Sequence, residues 1–132
     1  MTGVQTCALP ILPELNAKPI IPEKVLKPSD SAEVIIVSGA ETPTQEQNYT
    51  PKKIKAQLGV NNKIIWTNQG ESAHTVTPDK PFKDAYSGDF GSSGVIKPGK
   101  TYEFVFTQEG TIPYHCEPHP WMKGEVDRKS VV

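Results

Sequence analysis

A thiol, an imidazole and a thioether occur within seven residues near the end of the chain. The segment CEPHPWM places Cys116, His119 and Met122 at positions i, i+3 and i+6, at the end of a predicted strand. Thiolate and imidazole bind copper tightly, and a thioether is a soft ligand that suits Cu(I). A second imidazole, His74, lies in SAHTVT, on a turn after another predicted strand. Because a β-sandwich brings distant loops together at one end, these four side chains can meet.

The combination of these residues is more informative than any one of them. Alone, Met122 and Cys116 are more typical of a protein core, and His74 of a surface. Two imidazoles, one thiolate and a weak axial thioether are the ligands of a type 1 copper site. The sequence therefore predicts a copper ion held by His74, Cys116, His119 and Met122. We exclude His115, because it directly precedes Cys116 and its side chain on a strand points to the opposite face.

Other kinds of site use some of the same residues. Structural zinc sites usually need paired cysteines, whereas the predicted domain contains only Cys116. A cysteine hydrolase needs an accessible thiolate beside an oriented imidazole, and Met122 would then have no role. A copper-binding carrier, or a domain cut from a larger copper oxidase, stays open as an alternative. An oxidase needs further histidines, and His115 is the only one left over.

Short strands must position these side chains. Residues 33–38, 63–68 and 101–107 are rich in β-branched and aromatic residues, and residues 112–116 form the last complete strand before the metal-binding segment. The chain also has 13 prolines and 10 glycines, which favour turns, and no stretch with a 3.6-residue period. This pattern predicts an all-β sandwich.

The composition is that of an ordinary globular domain. The chain has 132 residues, of which 22% are charged, and a formal net charge of −1. This balance does not favour a disordered tail, a nucleic-acid-binding protein or a membrane-surface protein. No apolar run approaches the ~20 residues needed to span a bilayer.

Both ends of the chain look foreign to this domain. MTGVQTCALPI (residues 1–11) and DRKSVV (residues 127–132) match in-frame translations of a sequencing adapter, so we interpret them as artefacts. Excluding them removes Cys7 and Arg128 and changes the formal net charge from −1 to −2. On this interpretation the last strand is truncated, and a missing N-terminal part can include a membrane tether.

A proline-rich linker is predicted before the domain. Residues 12–31 carry prolines at positions 13, 19, 22 and 28. Proline removes backbone donors and favours extended conformations, so we expect a tether here and a domain that spans residues 32–126.

The motifs resemble those of the cupredoxin family of type 1 blue copper proteins, and in particular its plastocyanin-like and amicyanin-like members. The resemblance spans residues 32–126 and includes YTPKKIKAQLGVNNKIIWTN, HTVTPD and GVIKPGKTYEFVFTQEGTIPYHCEPHPWMKG. Two residues between Cys116 and His119, and two between His119 and Met122, form the short loop typical of amicyanins. The resemblance implies a Greek-key β-sandwich. It also implies that His74, Cys116 and His119 are strong equatorial ligands and that Met122 is the weak axial ligand.

Two positions depart from the plastocyanin pattern. Thr75 replaces an asparagine that ties the ligand loops together, and we expect the threonine hydroxyl to make a similar bond. His115 replaces a tyrosine that marks a second docking site on the side of the domain, so we do not expect that lateral site to be used.

The resemblance also implies a function. Cupredoxins of this type are one-electron carriers rather than enzymes, and they work outside the cytoplasm, in the periplasm or on the outer face of the membrane. We expect a monomer whose redox protein partners dock near His119, on an apolar patch that includes Pro118, Pro120 and Trp121. No nucleic-acid partner is expected.

Overall fold

Strands and the turns between them make up nearly all of the part of the chain that can be described. The computed structural model describes residues 21–91 and 94–130. The predicted adapter segment 1–11 and residues 12–20 of the predicted linker lie outside the described residues. Within them, one short helix precedes twelve strands. The elements are α1 (Glu23–Leu26), β1 (Ser31–Ile36), β2 (Tyr49–Thr50), β3 (Lys53–Gln57), β4 (Lys63–Asn68), β5 (His74–Thr75), β6 (Thr77–Pro78), β7 (Lys83–Asp84), β8 (Gly88–Asp89), β9 (Val95–Ile96), β10 (Thr101–Val105), β11 (Gly110–His115) and β12 (Lys123–Lys129).

Two four-stranded sheets form a sandwich. The first has the order β10-β4-β1-β2 and the second the order β3-β12-β11-β6. Strand β1 is parallel to β4 and β12 is parallel to β3, whereas the other neighbours in these sheets are antiparallel. Two further pairs of short strands, β5 with β9 and β7 with β8, form two-stranded sheets. The predicted all-β sandwich is confirmed, and β4 has the bounds that the sequence predicted.

The core lies between the sheets and centres on Trp66. Alternate residues of β4 are buried, as expected for a strand with one face toward a core. Trp66 donates a hydrogen bond from Nε1 to the hydroxyl of Tyr114, at 3.1 Å, and so joins the two sheets. Tyr114 in turn packs closely on Gly124, where a Cβ atom would lie 2.4 Å from the tyrosine ring. Glycine is therefore required at position 124 by the close approach of the ring.

The last strand is longer than the sequence predicted. β12 continues through residues 127–129 and pairs with β11 on one side and β3 on the other. The prediction of a truncated last strand is therefore wrong for this chain, because the residues assigned to the adapter continue both ladders. The adapter origin of these residues stays a prediction.

Arg128 shows how fully this end of β12 enters the fold. Its guanidinium lies over the rings of Phe82 and Phe106, 4.9 and 5.1 Å from their centroids. Nε donates a hydrogen bond to the carbonyl oxygen of Gly110 at 3.0 Å. Only 4% of the residue is exposed. Arg128 thus covers the core at this edge with its long side chain.

The chain before β1 packs against the domain. Val25 of α1 is buried, and its carbonyl oxygen accepts a hydrogen bond from Nδ2 of Asn62 at 2.7 Å. The backbone N–H of Asp30 donates to the carbonyl oxygen of Val60 at 2.8 Å. The described end of the predicted linker is therefore attached to the sandwich, and β1 begins one residue before the predicted start of the domain. None of the helices in the described residues has the length and apolar character that a membrane crossing requires.

Candidate metal centre

The loop between β11 and β12 carries three of the four predicted ligands. Its ends are joined by a hydrogen bond from the backbone N–H of Cys116 to the carbonyl oxygen of Met122, at 3.1 Å. Inside the loop, the N–H of His119 donates to Cys116 O at 3.2 Å, and the N–H of Met122 donates to His119 O at 2.9 Å. Pro118 and Pro120 flank His119 and fix φ on both sides of it. The loop is therefore a pair of linked turns with little freedom.

His74 lies in a separate segment of the chain, 42 positions before Cys116. It opens β5, after a turn that Asn68 organises from the end of β4. The buried amide of Asn68 donates to the carbonyl oxygens of Ser72 and Ile96, at 2.8 and 2.9 Å, and accepts from the N–H of Gly70 at 2.9 Å. Since the turn is fixed from both sides, His74 has a defined position at the end of the sandwich.

The structure brings His74, Cys116 and His119 together. Cys116 Sγ lies 3.7 Å from His74 Nδ1 and 3.4 Å from His119 Nδ1, and the three ligand atoms lie within 4.8 Å of one another. Sulfur and nitrogen ligands at typical metal distances of about 2.3 and 2.0 Å, with angles near those of a tetrahedral or trigonal site, are about 3.5–3.8 Å apart. The spacing of the donors therefore fits a single metal ion, and two nitrogens and one thiolate are a donor set suited to copper.

Met122 closes the loop that carries Cys116 and His119. Its side chain has no exposed surface, and both of its backbone polar groups bond within the loop. The ligand roles of His74, Cys116, His119 and Met122 stay a prediction; the close approach of the first three is a property of the structure.

Thr75 ties the two parts of the site together. Its backbone N–H points at Cys116 Sγ, at 3.3 Å, and its hydroxyl accepts a hydrogen bond from the N–H of Glu117 at 2.8 Å. Thr75 follows His74 and Glu117 follows Cys116, so the hydroxyl joins the two ligand segments. The expectation that threonine replaces the usual asparagine in this tie is confirmed.

The second ring nitrogen of His74, Nε2, faces the carboxylate of Glu41. His74 has no exposed surface, and burial, with a smaller contribution from His119, lowers its pKa, whereas Glu41 acts in the opposite direction. His74 Nε2 lies 3.7 Å from Glu41 Oε1, and both atoms are buried without a hydrogen-bond partner. Glu41 could not be identified from the sequence, because a single acidic residue in a polar loop gives no periodic or motif signal.

His115 lies outside this cluster. Its ring bridges Asp79 Oδ1 at 2.6 Å and Glu117 Oε2 at 2.7 Å, and 23% of its side chain is exposed. Partial burial alone would lower the pKa of His115, but the two carboxylates outweigh it and the pKa is raised. His115 is thus held at the surface between two carboxylates, apart from the predicted metal ligands.

The predicted docking residues surround His119 at the end of the sandwich. Pro118 and Pro120 are exposed, His119 and Trp121 are half-buried, and the rings of the last two are 5.3 Å apart. Trp121 donates a hydrogen bond from Nε1 to the carbonyl oxygen of Ala40 at 3.1 Å. Its ring is therefore fixed beside the imidazole.

Comparison with known proteins agrees with this architecture. The chain is 28% identical over 130 residues to amicyanin of Paracoccus denitrificans, with 95% of each chain covered. Its fold is similar to a purple cupredoxin of Nitrosopumilus maritimus (TM-score 0.60, 27% identity, 75% of this chain and 100% of that chain covered). It is also similar to the reduced Cu(I) form of an amicyanin variant (TM-score 0.54, 25% identity, 86% and 100% covered). Residues 26–126 match the cupredoxin-like domain family. The chain therefore belongs to the cupredoxin family.

Proposed function

We propose that this chain is a type 1 blue copper protein that carries single electrons between redox partners. The observation that carries the proposal is the convergence of one thiol and two imidazole nitrogens, with sulfur–nitrogen distances of 3.4 and 3.7 Å, at a buried point between two loops. Copper bound there would supply one-electron chemistry between Cu(II) and Cu(I). His74, Cys116 and His119 would hold it, with Met122 as the weak fourth ligand.

The protein contributes a fixed arrangement of donors. The hydrogen bonds within the Cys116–Met122 loop and the tie from Thr75 hold the donors in place. Little rearrangement is then needed when the charge of the site changes, and this favours fast electron exchange. The Thr75 N–H that points at Cys116 Sγ stabilises negative charge on the sulfur.

We place the exit route for the electron at His119. It is the most accessible of the three donor residues, because His74 and Cys116 have no exposed surface. Pro118, Pro120 and Trp121 form an uncharged rim around it, so a redox protein can approach the imidazole edge without displacing charged groups. Such a surface favours brief contacts over a tight complex.

Membership of the family supports a proposal for the cellular setting. We propose a monomer that works outside the cytoplasm, in the periplasm or on the outer face of the membrane. Its relatives include amicyanins of Paracoccus denitrificans and Paracoccus versutus. A copper-binding carrier, or a domain of a larger copper oxidase, is the alternative assignment of the same site.

A cysteine hydrolase fits the geometry poorly. The thiol of Cys116 has no exposed surface and lies between two imidazoles and a backbone N–H. A nucleophile must reach a substrate carbonyl, and no surface of this sulfur is open to one.

Copper titration tests the proposal. The metal-free protein should take up one Cu(II) ion and acquire an intense visible absorption from charge transfer from the Cys116 thiolate. Cys116→Ser should lose this absorption, because a hydroxyl is a harder ligand and ionises far less readily. Ser72→Ala, a substitution near His74 that leaves all four predicted ligands in place, serves as the control and should keep the colour. A colourless complex of the unsubstituted protein under oxidising conditions refutes the proposal.

A further inference from the structure

The loop between β1 and β2 reaches over the metal centre. We call residues 38–47 the 38–47 loop. A hydrogen bond from Val37 N–H to Asn48 O, at 3.0 Å, closes it at its base. Within it, Gln45 Nε2 donates to the carbonyl oxygens of Ser38 and Gln47, at 3.1 and 2.6 Å. Turn hydrogen bonds from Thr42 N–H to Gly39 O and from Gln45 N–H to Thr42 O add to this framework. The loop is therefore internally braced.

One side of this loop contacts both predicted ligand segments. Ala40 is fully buried, and its carbonyl oxygen accepts a hydrogen bond from the indole N–H of Trp121, which belongs to the Cys116–Met122 loop. The next residue, Glu41, directs its carboxylate at His74, with Oε1 3.7 Å from Nε2. The 38–47 loop thus fixes Glu41 through its neighbour and places it behind the most buried of the imidazoles.

The two facing atoms lack partners. Glu41 Oε1 and His74 Nε2 are both buried, and neither makes a hydrogen bond in the structure. A buried polar atom without a partner is destabilising, because burial removes its hydrogen bonds to water. An N–H···O bond has a length of about 2.9 Å, so the side chains need to approach by only about 0.8 Å to satisfy both atoms. A half-exposed glutamate side chain can make this movement by a small rotation.

The opposite nitrogen of the same ring faces the metal centre. His74 Nδ1 is 3.7 Å from Cys116 Sγ and must offer a lone pair to bind a metal. A neutral imidazole carries one proton, so a proton on Nε2 leaves Nδ1 free, whereas a proton on Nδ1 blocks it. Without an acceptor at Nε2, the proton can instead lie on Nδ1 and face the sulfur of Cys116.

We infer that Glu41 is a positioning residue for His74. Its carboxylate accepts a hydrogen bond from Nε2–H of His74 and thereby holds the tautomer and ring orientation that leave Nδ1 free to bind metal. The inference rests on the proposed copper site for its purpose, but the hydrogen bond itself belongs to the metal-free protein. Carboxylates that orient metal-binding histidines in this way also strengthen the ligand. The negative charge of Glu41 further favours the more positively charged Cu(II) state.

Three variants separate the hydrogen bond from the charge. Glu41→Ala removes both, whereas Glu41→Gln removes the charge and keeps a carbonyl oxygen as acceptor. Glu46→Gln is the matched control, because it removes the same charge from an exposed residue of the same loop. Thermal unfolding of each metal-free variant verifies that it is folded, and Glu41→Gln, the nearly isosteric change, decides the matter if Glu41→Ala is unfolded.

The first measurement is the tautomer of His74 in the metal-free protein, from its ring nitrogen NMR shifts. The unsubstituted protein and Glu46→Gln should show the proton on Nε2, and Glu41→Ala should show a substantial population with the proton on Nδ1. The second measurement is affinity for Cu(I). Glu41→Ala should bind about 10- to 100-fold more weakly, and Glu41→Gln should lie between it and the unsubstituted protein. Glu41→Gln should also raise the reduction potential.

The outcomes distinguish this inference from the proposed function. If the protein binds copper with the thiolate absorption but both Glu41 variants match Glu46→Gln in tautomer, affinity and potential, the role of Glu41 is refuted and the copper function stands. If the unsubstituted protein binds no copper, the proposed function fails, and the tautomer measurement still decides whether Glu41 orients His74.

Discussion

Replacing Thr75 by valine tests whether the two ligand segments depend on one hydroxyl. Valine has nearly the same shape, so the change removes a hydrogen-bonding oxygen and adds a methyl group in its place. Two bonds are lost: the one from the N–H of Glu117, at 2.8 Å, and the one between the hydroxyls of Thr75 and Thr77, at 3.0 Å. A methyl carbon needs about 3.5 Å from that nitrogen, so the two segments must separate by about 0.7 Å.

The cost follows from what is left without a partner. The N–H of Glu117 is partly buried, and leaving such a donor unsatisfied costs about 1–2 kcal/mol of the free energy of unfolding. For a chain of 132 residues this corresponds to a fall of about 4–8 °C in the melting temperature of the metal-free protein. The separation also weakens the contact of the Thr75 N–H with Cys116 Sγ, at present 3.3 Å. Loss of a donor to the sulfur should lower the reduction potential of the copper form.

Hydrogen exchange gives the most direct assay. Thr75→Val should increase the exchange rate of the Glu117 amide in the metal-free protein, whereas Thr75→Ser keeps the hydroxyl and should leave that amide protected. Urea unfolding of the same variants measures the loss of stability. If Thr75→Val keeps the Glu117 amide as protected as Thr75→Ser does, and unfolds at the same urea concentration, the tie between the segments does not depend on this hydroxyl.

Substitutions at three further positions test the packing and the exit route. Gly124→Ala should destabilise the protein by about 1–3 kcal/mol, because a Cβ atom would lie 2.4 Å from the Tyr114 ring; an unchanged urea midpoint contradicts this. Arg128→Ala should cost about 2–4 kcal/mol, through lost packing on two aromatic rings, while Arg128→Met should cost less because Nη1 has no partner and the aliphatic length is kept. Equal losses for the two Arg128 variants, measured by urea unfolding, argue against packing as the cause. Pro118→Glu should slow electron self-exchange of the copper form and leave its visible spectrum unchanged, since Pro118 is exposed beside His119; an unchanged rate moves the exit route elsewhere.

Much of the fold and the candidate site follows from short stretches of sequence. The alternation of apolar residues gives β4 its bounds, and in β10 it places Tyr102 and Phe104 in the core. The spacing of Cys116, His119 and Met122 falls within one tight loop, so local turn geometry is enough to bring the first two together. Strand alternation separates His115 from Cys116 for the same local reason. These features depend on neighbours in the chain and can be read from it.

The attachments at the two ends of the domain could not be read in this way. Proline content marks residues 12–31 as a linker, and the match to an adapter marks residues 127–132 as foreign, yet Val25 is buried and Arg128 covers the core. Proline content describes the local preference of the backbone, and the match to an adapter describes the origin of a sequence. Neither the backbone preference nor the origin of a segment determines whether neighbouring strands offer edges with which it can pair. Here β3 and β11 offer such edges, and β12 pairs with both.

The sequence by itself predicted the donor set and determined the sandwich and its longer strands, because residue type, spacing and periodicity are local properties. Only the tertiary structure decided that Glu41 lies behind His74 and that Thr75 joins the segments of His74 and Cys116. Glu41 and His74 are 33 positions apart, and Thr75 and Glu117 are 42 apart, so their contacts depend on how separate loops meet after the sheets have packed. A hydrogen bond forms or fails over less than 1 Å, and that distance is set by the whole sandwich rather than by any one segment.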